Sequence, residues 1–504
     1  MSGKSHYRDA GIINLWHLTA LVLLGFIVRL YAFRNSPIIN PDGIHYINQA
    51  KALLNGDWDL ARNCGYNFIS LYHLLIPVAY KISGDWIVAA KSVSLFFGTA
   101  AILPFYLIMK QFFRNAAAVA VSLGFSMHPF FVAHSVELIK DPIFWFFALF
   151  GIFFFIVACS DENKMYFFIF SSVFFLVAVL ARFEILIYLA GSVIYIAVVE
   201  DKKRKKIFIF CLPIIVTGCL LLLAGALIFN KGSNLWAIYF LPRVEHFFYD
   251  FFDRVVKVNM LEQSIVTALT LLYKTVKAAY FPFLPFIFTG LLAIKEDVKR
   301  DRRFLYFIFL SLLSLAALYL LCLKTGILSP RYTVMIILPG FVFMCSGIEK
   351  ILQVFRERGF REKTAFTVIS AYMIITVVAT HSLFHARTDK IIYRAIGEYI
   401  AVANRNTSTV LMASDPRVMF YANIHSNGLE CSNPSPHYKN LMAMKYEDMI
   451  SFLKDNKVNY FLWEEKLWST AAYDFLGTAK PEHSEEIARW NSGQGKIVLF
   501  RMLY

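Results

Sequence analysis

An aspartate, a histidine and a tyrosine stand close together in "NPDGIHYINQA" (Asn40 to Ala50), just past a hydrophobic segment long enough to cross a membrane. Read as the start of a helix, the stretch has Asn40 as its cap and Pro41 in the first turn. Asp42, His45, Tyr46 and Gln49 then share one polar face, because residues three and four apart are helical neighbours, while Ile44, Ile47 and Leu54 point the other way. A carboxylate so placed can take the proton of an acceptor hydroxyl or amine. The helix dipole favours its ionised form, as it would for an acid that merely stabilises a helix start. Fixed cations suited to a lipid phosphate occur elsewhere: Arg182 in "LARFEIL", and Lys324 and Arg331 bracketing "LKTGILSPR". His45, Tyr46 and Tyr332 join them on the donor side, although His45 also reads as an ordinary interfacial hydrogen-bonding residue. Glu137 and Asp141, four apart, can share a helical face as supporting acids or metal ligands, or simply begin a helix. Arg29, near the outer end of the first helix, is expected to snorkel. "DWD" (Asp57 to Asp59) imitates a metal-binding D-x-D, a tripeptide that arises easily by chance, and no metal is assigned to it.

The rest of the chain must hold these groups at a membrane boundary. Of its 504 residues 58% are hydrophobic and 17% aromatic, 50 of them Phe, and the mean hydropathy of +0.55 is too high for a soluble globular protein of this length. The formal charge of +15 lies in short clusters between apolar runs, such as "EDKKRKK" and "KEDVKRDRR". These read as topology signals and not as a nucleic-acid surface. No small-residue cleavage site follows the first apolar segment, which is expected to stay as the first helix. The seven cysteines have no CxxC spacing, and five of them sit in or beside apolar spans, which argues against a metal or redox role.

Apolar windows of about 20 residues fall at 11–33, 86–109, 116–133, 142–159, 165–181, 184–199, 207–229, 278–294, 304–323, 332–349 and 364–384. The reading is a polytopic α-helical membrane protein with about 11 transmembrane helices, a transmembrane domain over 1–387 and a small soluble α/β domain over 388–504. With the N-terminus inside, the Lys/Arg clusters fall on the cytoplasmic side. The loop 34–85, the loop around "AHSVELIKDP", the loop 230–277 and the tail then face outward. "YNFISLYHLLIPVAYKI" is apolar but short and contains Pro77, and is expected to be a second interfacial helix of the first outer loop. In the tail, "STVLMAS" and "VNYFLW" read as strands and "KYEDMISFLKDNK" as an amphipathic helix. On this topology the ionisable residues cluster at the outer boundary, where an interfacial enzyme needs them. A transporter more often places them at mid-depth.

The order of these motifs resembles the polytopic GT-C glycosyltransferases, in particular the branch of the protein O-mannosyltransferases and the bacterial lipid A aminoarabinose transferase. "PDGIHYINQAKALLNGDW" and then "LYHLLIPVAYKISGD" are similar to that branch's first outer loop, "HPFFVAHSVELIKDPIFWF" to its second, with Asp141 as the acid, and "LARFEIL" and "SPRYTVMIILP" to its arginine-containing helix ends. Gly43 stands where the family often has a second acid, and the usual Pro-Pro-Leu is replaced by "ISLYHLL". The resemblance implies an inverting transfer of a sugar from a polyprenyl-phosphate carrier to a glycan, lipid or protein acceptor on the outer face of the membrane, with Asp42 as catalytic base. It implies no firm cofactor, since no strong motif supports a divalent cation. It also places the protein in a bacterial inner membrane, with its site and tail facing the periplasm or exterior. Two other readings keep the topology: a flippase or transporter of polyprenyl-linked saccharides, which needs no base, and a ligase or polymerase using a diphosphate donor.

Overall fold

The structure, a computed structural model, describes residues 14–64, 68–228, 260–326, 328–380, 390–404, 409–424, 438–469, 471, 473–493 and 495–504. The expected loop 230–277 lies outside the described residues as far as 259. So do the ends of the windows 11–33, 207–229 and 364–384, Tyr66 and Asn67 of the second loop helix, Ser408 of the first tail strand, and the boundary at 387/388. In chain order the helices are α1 (Leu15–Arg34), α2 (Pro41–Leu54), α3 (Trp58–Asn63), α4 (Leu71–Ser83), α5 (Trp86–Ala100), α6 (Ile102–Phe112), α7 (Asn115–Met127), α8 (Pro129–His134), α9 (Asp141–Ser160), α10 (Phe167–Val179), α11 (Leu186–Val199), α12 (Lys203–Ile228), α13 (Met260–Ala278), α14 (Leu284–Arg300), α15 (Phe304–Thr325), α16 (Val334–Glu357) and α17 (Glu362–Ala379). The described part of each of the eleven apolar windows is mostly helical, although the window 116–133 is interrupted at His128 and the window 278–294 at Ala279 and Tyr280. Among the described residues six helices are long and apolar enough to cross a membrane, or up to seven if the bent pair α13 and α14 is one span. Asn115–Met127, Phe167–Val179 and Phe183–Val199 are shorter apolar helices. The chain is an integral membrane protein.

The chain divides into two compact units. The first gathers the described residues of Met1–Leu30, Leu95–Ser135 and Lys140–Leu383. Its phenylalanines fill the spaces between helices: Phe105 stacks on Phe125 at 4.2 Å, and Phe341 meets both edge-on at 5.2 and 5.6 Å. Helices α14 and α16 approach until their backbones touch. A Cβ on Gly290 would lie 1.7 Å from the Phe343 carbonyl oxygen and one on Gly347 1.9 Å from that of Phe286, so each position requires glycine. The end of the expected loop 230–277 is in fact helix α13, which meets the following helical segment at 84°. Lys274 and Lys277 dilute its apolar window, and for that reason hydropathy alone passes over it.

The second unit gathers Tyr31–Ser94, Val136–Ile139 and the described residues of Phe384–Tyr504. Its C-terminal part has helices α18 (Ile391–Ala403), α19 (Pro416–Ala422) and α20 (Tyr446–Asp455), and strands β1 (Leu411–Met412), β2 (Tyr460–Glu464), β3 (Ser484–Ser492) and β4 (Gly495–Met502). The strands form one sheet in the order β1-β2-β4-β3, with β1 parallel to β2 and the other pairs antiparallel. Every residue of β2 is buried because both faces are covered. Phe461 and Trp463 join the core around Met449 and Leu453 of α20, whereas Tyr460 and Leu462 join that of Ile396 in α18 and Val418 in α19. Two strands and the helix match the sequence reading. The β3-β4 hairpin is additional: β3 is polar and carries a bulge between Glu486 and Ala488, which breaks the alternation that marks a strand. The same unit joins this part to the loop 34–85, since the Tyr421 hydroxyl accepts from the Ile39 amide at 3.2 Å and Arg394 Nη1 donates to the Pro37 carbonyl at 2.6 Å.

Candidate active site

In the second unit, helix α2 begins where the sequence placed it, with Asp42 half-buried in its first turn. Asn40 holds the N-cap position without capping through its side chain. Its Nδ2 donates to the Leu138 carbonyl at 3.3 Å, and its Oδ1 accepts from the Leu138 amide at 3.2 Å. The start of α2 is thereby clipped to the segment that carries Glu137. Gly43 permits the approach, because a Cβ there would lie 2.7 Å from Leu138 Cβ. The departure from the family pattern at Gly43 thus has a packing reason. Burial lowers the proton affinity of His45, and neighbouring Asp42 acts in the opposite direction.

The polar face of α2 does not lie open. Tyr46 and Gln49 are buried. Tyr46 packs edge-on against Tyr72 at 5.4 Å and His73 at 5.1 Å in α4, and Gln49 Nε2 donates to the Ala61 carbonyl at 2.8 Å. Helix α2 is therefore packed within the loop, with α3 and α4 covering part of its polar side. Glu137 and Asp141 do not share a helical face: Glu137 lies in a bend, whereas Asp141 opens α9.

In the first unit, Asp141 at the start of α9 and Arg182, just before the 3-10 turn Phe183–Ile185, form a buried ion pair. Arg182 Nη2 also donates to Glu184 Oε1 at 2.8 Å, and its guanidinium lies over the Tyr332 ring at 4.8 Å. Burial opposes the charge on Arg182, but Asp141 and Glu184 outweigh it and hold the guanidinium above its ordinary value. Arg182 is therefore neutralised twice over and serves to fix the ends of three elements. Lys140 and Arg331 add positive charge beside it. The Lys140 ammonium is pushed down to about 8, first by burial and then by Arg182, with Glu184 and Asp141 opposing and Arg331 adding to the fall. The cluster sets three cations against two carboxylates, an excess of positive charge suited to an anion. Lys324 lies in the last turn of α15, and Arg331 and Tyr332 in the 3-10 turn Pro330–Thr333 that leads into α16.

Arg29 does not snorkel. It is fully buried, donating from Nε to Ser135 Oγ at 3.1 Å and from Nη1 to the carbonyls of Gly25 and Ser126 at 3.1 and 2.8 Å. It ties α1 to α7 and to Ser135, which follows α8, because serine and carbonyl acceptors there outcompete lipid head groups. Lys140, and the contact of Asn40 with Leu138, escaped the sequence reading. Lys140 directly precedes Asp141 and was open to the same charge argument, whereas no local signal announces the pairing of Asn40 with a residue 98 positions away. Among the described residues no group of three or more His, Cys, Asp or Glu is placed to hold a metal ion.

Residues 71–229 match the model of the dolichyl-phosphate-mannose-protein mannosyltransferase family, less than half of the chain. No curated protein sequence matches it. Among solved structures, ArnT from Cupriavidus metallidurans in the apo state is similar over 96% of this chain and 97% of its own, at 12% identity and a TM-score of 0.62. The same protein bound to undecaprenyl phosphate gives a TM-score of 0.56 at 12% identity over the same shares. The oligosaccharyltransferase of Archaeoglobus fulgidus, in complex with Zn and sulfate, is similar over 95% of this chain and 72% of its own, at 15% identity and a TM-score of 0.60. At these identities the likeness is one of fold, and with it the resemblance drawn from the outer loops is borne out: the chain has the fold of the GT-C glycosyltransferases.

Proposed function

We propose that the protein is an inverting glycosyltransferase that moves a sugar from a polyprenyl-phosphate carrier to a glycan, lipid or protein acceptor on the outer face of a bacterial inner membrane. The observation that carries this reading is the fixed position of Asp42. It is a half-buried carboxylate in the first turn of a helix whose start is clipped by Asn40 and Leu138 and whose Gly43 admits that contact. Asp42 takes the proton of the acceptor nucleophile, which attacks the anomeric carbon as the carrier phosphate leaves. Arg331, Lys140 and Lys324 act as donor-side cations, and His45, on the same helix as Asp42, is assigned to the donor as well. Arg182, Asp141, Glu184 and Tyr332 position that side, and Tyr46 holds α2 in its fold. Glu137, next to the clipped residue Leu138, is the acceptor-side acid.

The match to a family named for dolichyl-phosphate mannose, and the undecaprenyl phosphate bound by ArnT, support a lipid-linked donor. Cys64, in the first outer loop, is disulfide-bonded, whereas the five free cysteines among the described residues all lie in apolar helices of the first unit. A disulfide belongs to an oxidising compartment, which supports an extracytoplasmic placement of that loop.

Asp42→Asn keeps the size and polarity of the side chain but cannot accept a proton. Turnover with a polyprenyl-phosphate sugar in detergent is expected to disappear while the yield and monodispersity of the protein stay unchanged. Activity retained within about threefold, less than the roughly 100-fold contribution of a general base, would remove Asp42 as the base and favour a flippase.

A further inference from the structure

Helix α2 is entered through residues 36–40, which belong to no helix or strand. Pro37 and Pro41 disfavour a helical backbone at the residues before them, and Asn40 is extended at φ −79 and ψ 152. Such a segment has no ladder of its own, and Ile38 and Ile39 are buried away from water, so its polar backbone groups need partners from elsewhere. Within the second unit those partners are side chains. The Ser36 carbonyl accepts from Lys91 Nζ of α5, the Pro37 carbonyl from Arg394 Nη1 at 2.6 Å, and the Ile39 amide donates to the Tyr421 hydroxyl at 3.2 Å.

Two of these three pegs, Arg394 and Tyr421, come from the C-terminal part, and the packing there holds them in place. Helices α18 and α19 meet at Gly397, where a Cβ would lie 2.5 Å from Tyr421 Cβ and 2.7 Å from the Val418 carbonyl oxygen. That approach sets the Arg394 guanidinium 5.6 Å from the centre of the Tyr421 ring, while Arg394 Nε donates to Glu398 Oε1 at 2.7 Å. Helix α19 is fixed at both ends. Asp415 Oδ1 accepts from the Arg417 amide at 3.0 Å, and Asn423 accepts from the Thr409 amide at 2.9 Å and donates to its carbonyl at 3.0 Å. The chain held by these pegs reaches Asp42 three residues after Ile39, so their placement sets where the first turn of α2 begins.

We infer that Arg394 and Tyr421 are positioning residues for Asp42, and that the C-terminal part takes part in turnover by holding the entry to α2 without touching substrate. This rests on the transferase reading above. Tyr421→Phe would leave the buried Ile39 amide without its acceptor, and the segment would have to shift to satisfy it.

Turnover of a polyprenyl-phosphate sugar by the full chain in detergent, and hydrogen–deuterium exchange of a peptide covering residues 36–42, test the inference together. Tyr460→Phe is the matched control for a plain loss of domain stability, since it deletes a hydroxyl that donates to Asn404 Oδ1 at 2.9 Å in the same part of the chain. Tyr421→Phe and Arg394→Gln are each expected to lower kcat about tenfold, and together about 100-fold, the scale of a misplaced reacting group. The donor concentration for half-maximal rate should stay within about twofold, because donor binding does not need the base. Exchange over 36–42 should quicken in both variants, Arg394→Lys should recover most of the lost kcat, and Tyr460→Phe should change neither readout. Transfer by the wild type alongside unchanged exchange in both peg variants sinks this inference alone, as does faster exchange at unchanged kcat. An equal loss of kcat in Tyr460→Phe overturns it too, by showing that domain stability alone is at work. No transfer by the wild type alongside faster exchange in the peg variants sinks the transferase reading and leaves the pegs holding α2.

Discussion

Arg182 and Arg331 have the same side chain and opposite expected phenotypes. Arg182 is buried against two carboxylates, so Arg182→Gln leaves Asp141 and Glu184 without their cation. Breaking a buried pair from one side costs roughly 3–5 kcal/mol, and thermal unfolding in detergent is expected to show a large loss of stability. Arg331 is half-buried, and as a fork-shaped donor it can hold two phosphate oxygens at once. Arg331→Ala is expected to raise the donor concentration for half-maximal rate about tenfold, in line with roughly 1.5–3 kcal/mol for a charge-assisted hydrogen bond, with partial rescue by lysine and little change in stability. Unchanged donor dependence in the alanine variant would exclude Arg331 from the site. Lys140 offers a pH test. Its proton is held less tightly in the folded protein, down to about 8, than at the ordinary value of 10.5, first because of burial. Between those values the unfolded chain binds the extra proton, so this lysine contributes stability that rises with pH. Lys140→Met should therefore gain stability at pH 7 and gain less at pH 9.5, with both proteins melted across that range. A difference independent of pH would contradict the assignment. The sequence made the charges legible but not their partners, because Arg182 finds Asp141 across 41 positions. Nothing local shows which carboxylate an arginine will meet.

At the scale of elements, the approach of α2 to the segment Val136–Ile139 depends on one missing side chain. Gly43→Asp would restore the acid that the resembled family often carries, yet its Cβ would fall 2.7 Å from Leu138 Cβ and 2.9 Å from Leu138 Cδ2. Overpacking of this kind costs roughly 1–3 kcal/mol, and it would push apart the contact that fixes Asp42. The variant is expected to melt lower and to lose transfer activity despite its added carboxylate. An active, equally stable Gly43→Asp protein would show that the clip does not position the base. The start of α2 was legible because Asn, Pro and Asp in succession are a helix-entry signal. The fate of its polar face was not, since periodicity shows that a face is polar without showing what covers it, and here Tyr72, His73 and the Ala61 carbonyl do so. The bend before α14 was illegible for a related reason: hydropathy windows find a span by its apolar middle, and the lysines of α13 lower the average at the place where the chain turns.

For the whole molecule, eleven apolar windows and their flanking charges were enough to identify a polytopic helical protein, because a bilayer imposes helix and length together. The number of complete spans was less legible, since a 13-residue apolar helix such as Asn115–Met127 and a bent pair both satisfy composition without crossing alone. The side of the membrane on which the C-terminal sheet lies is the remaining consequence of that topology. A cysteine placed at Glu486 or Arg489 on β3, where both residues pair exposed with each other at 2.7 and 2.9 Å, would disturb only a surface contact. If the tail is extracytoplasmic, such a cysteine should react with a membrane-impermeant maleimide in intact cells. Among the described residues the free cysteines at 159, 211, 219, 322 and 345 lie in the apolar helices and are not expected to react. The same orientation would place Arg204, in the first turn of α12, and Arg302, in the connection after α14, on the cytoplasmic side, so cysteines there should react only after permeabilisation. Labelling of the β3 positions only in permeabilised cells would reverse the orientation. It would move Asp42 to the cytoplasmic face as well, since the first outer loop and the sheet belong to one compact unit joined by the Ile39–Tyr421 and Arg394–Pro37 hydrogen bonds.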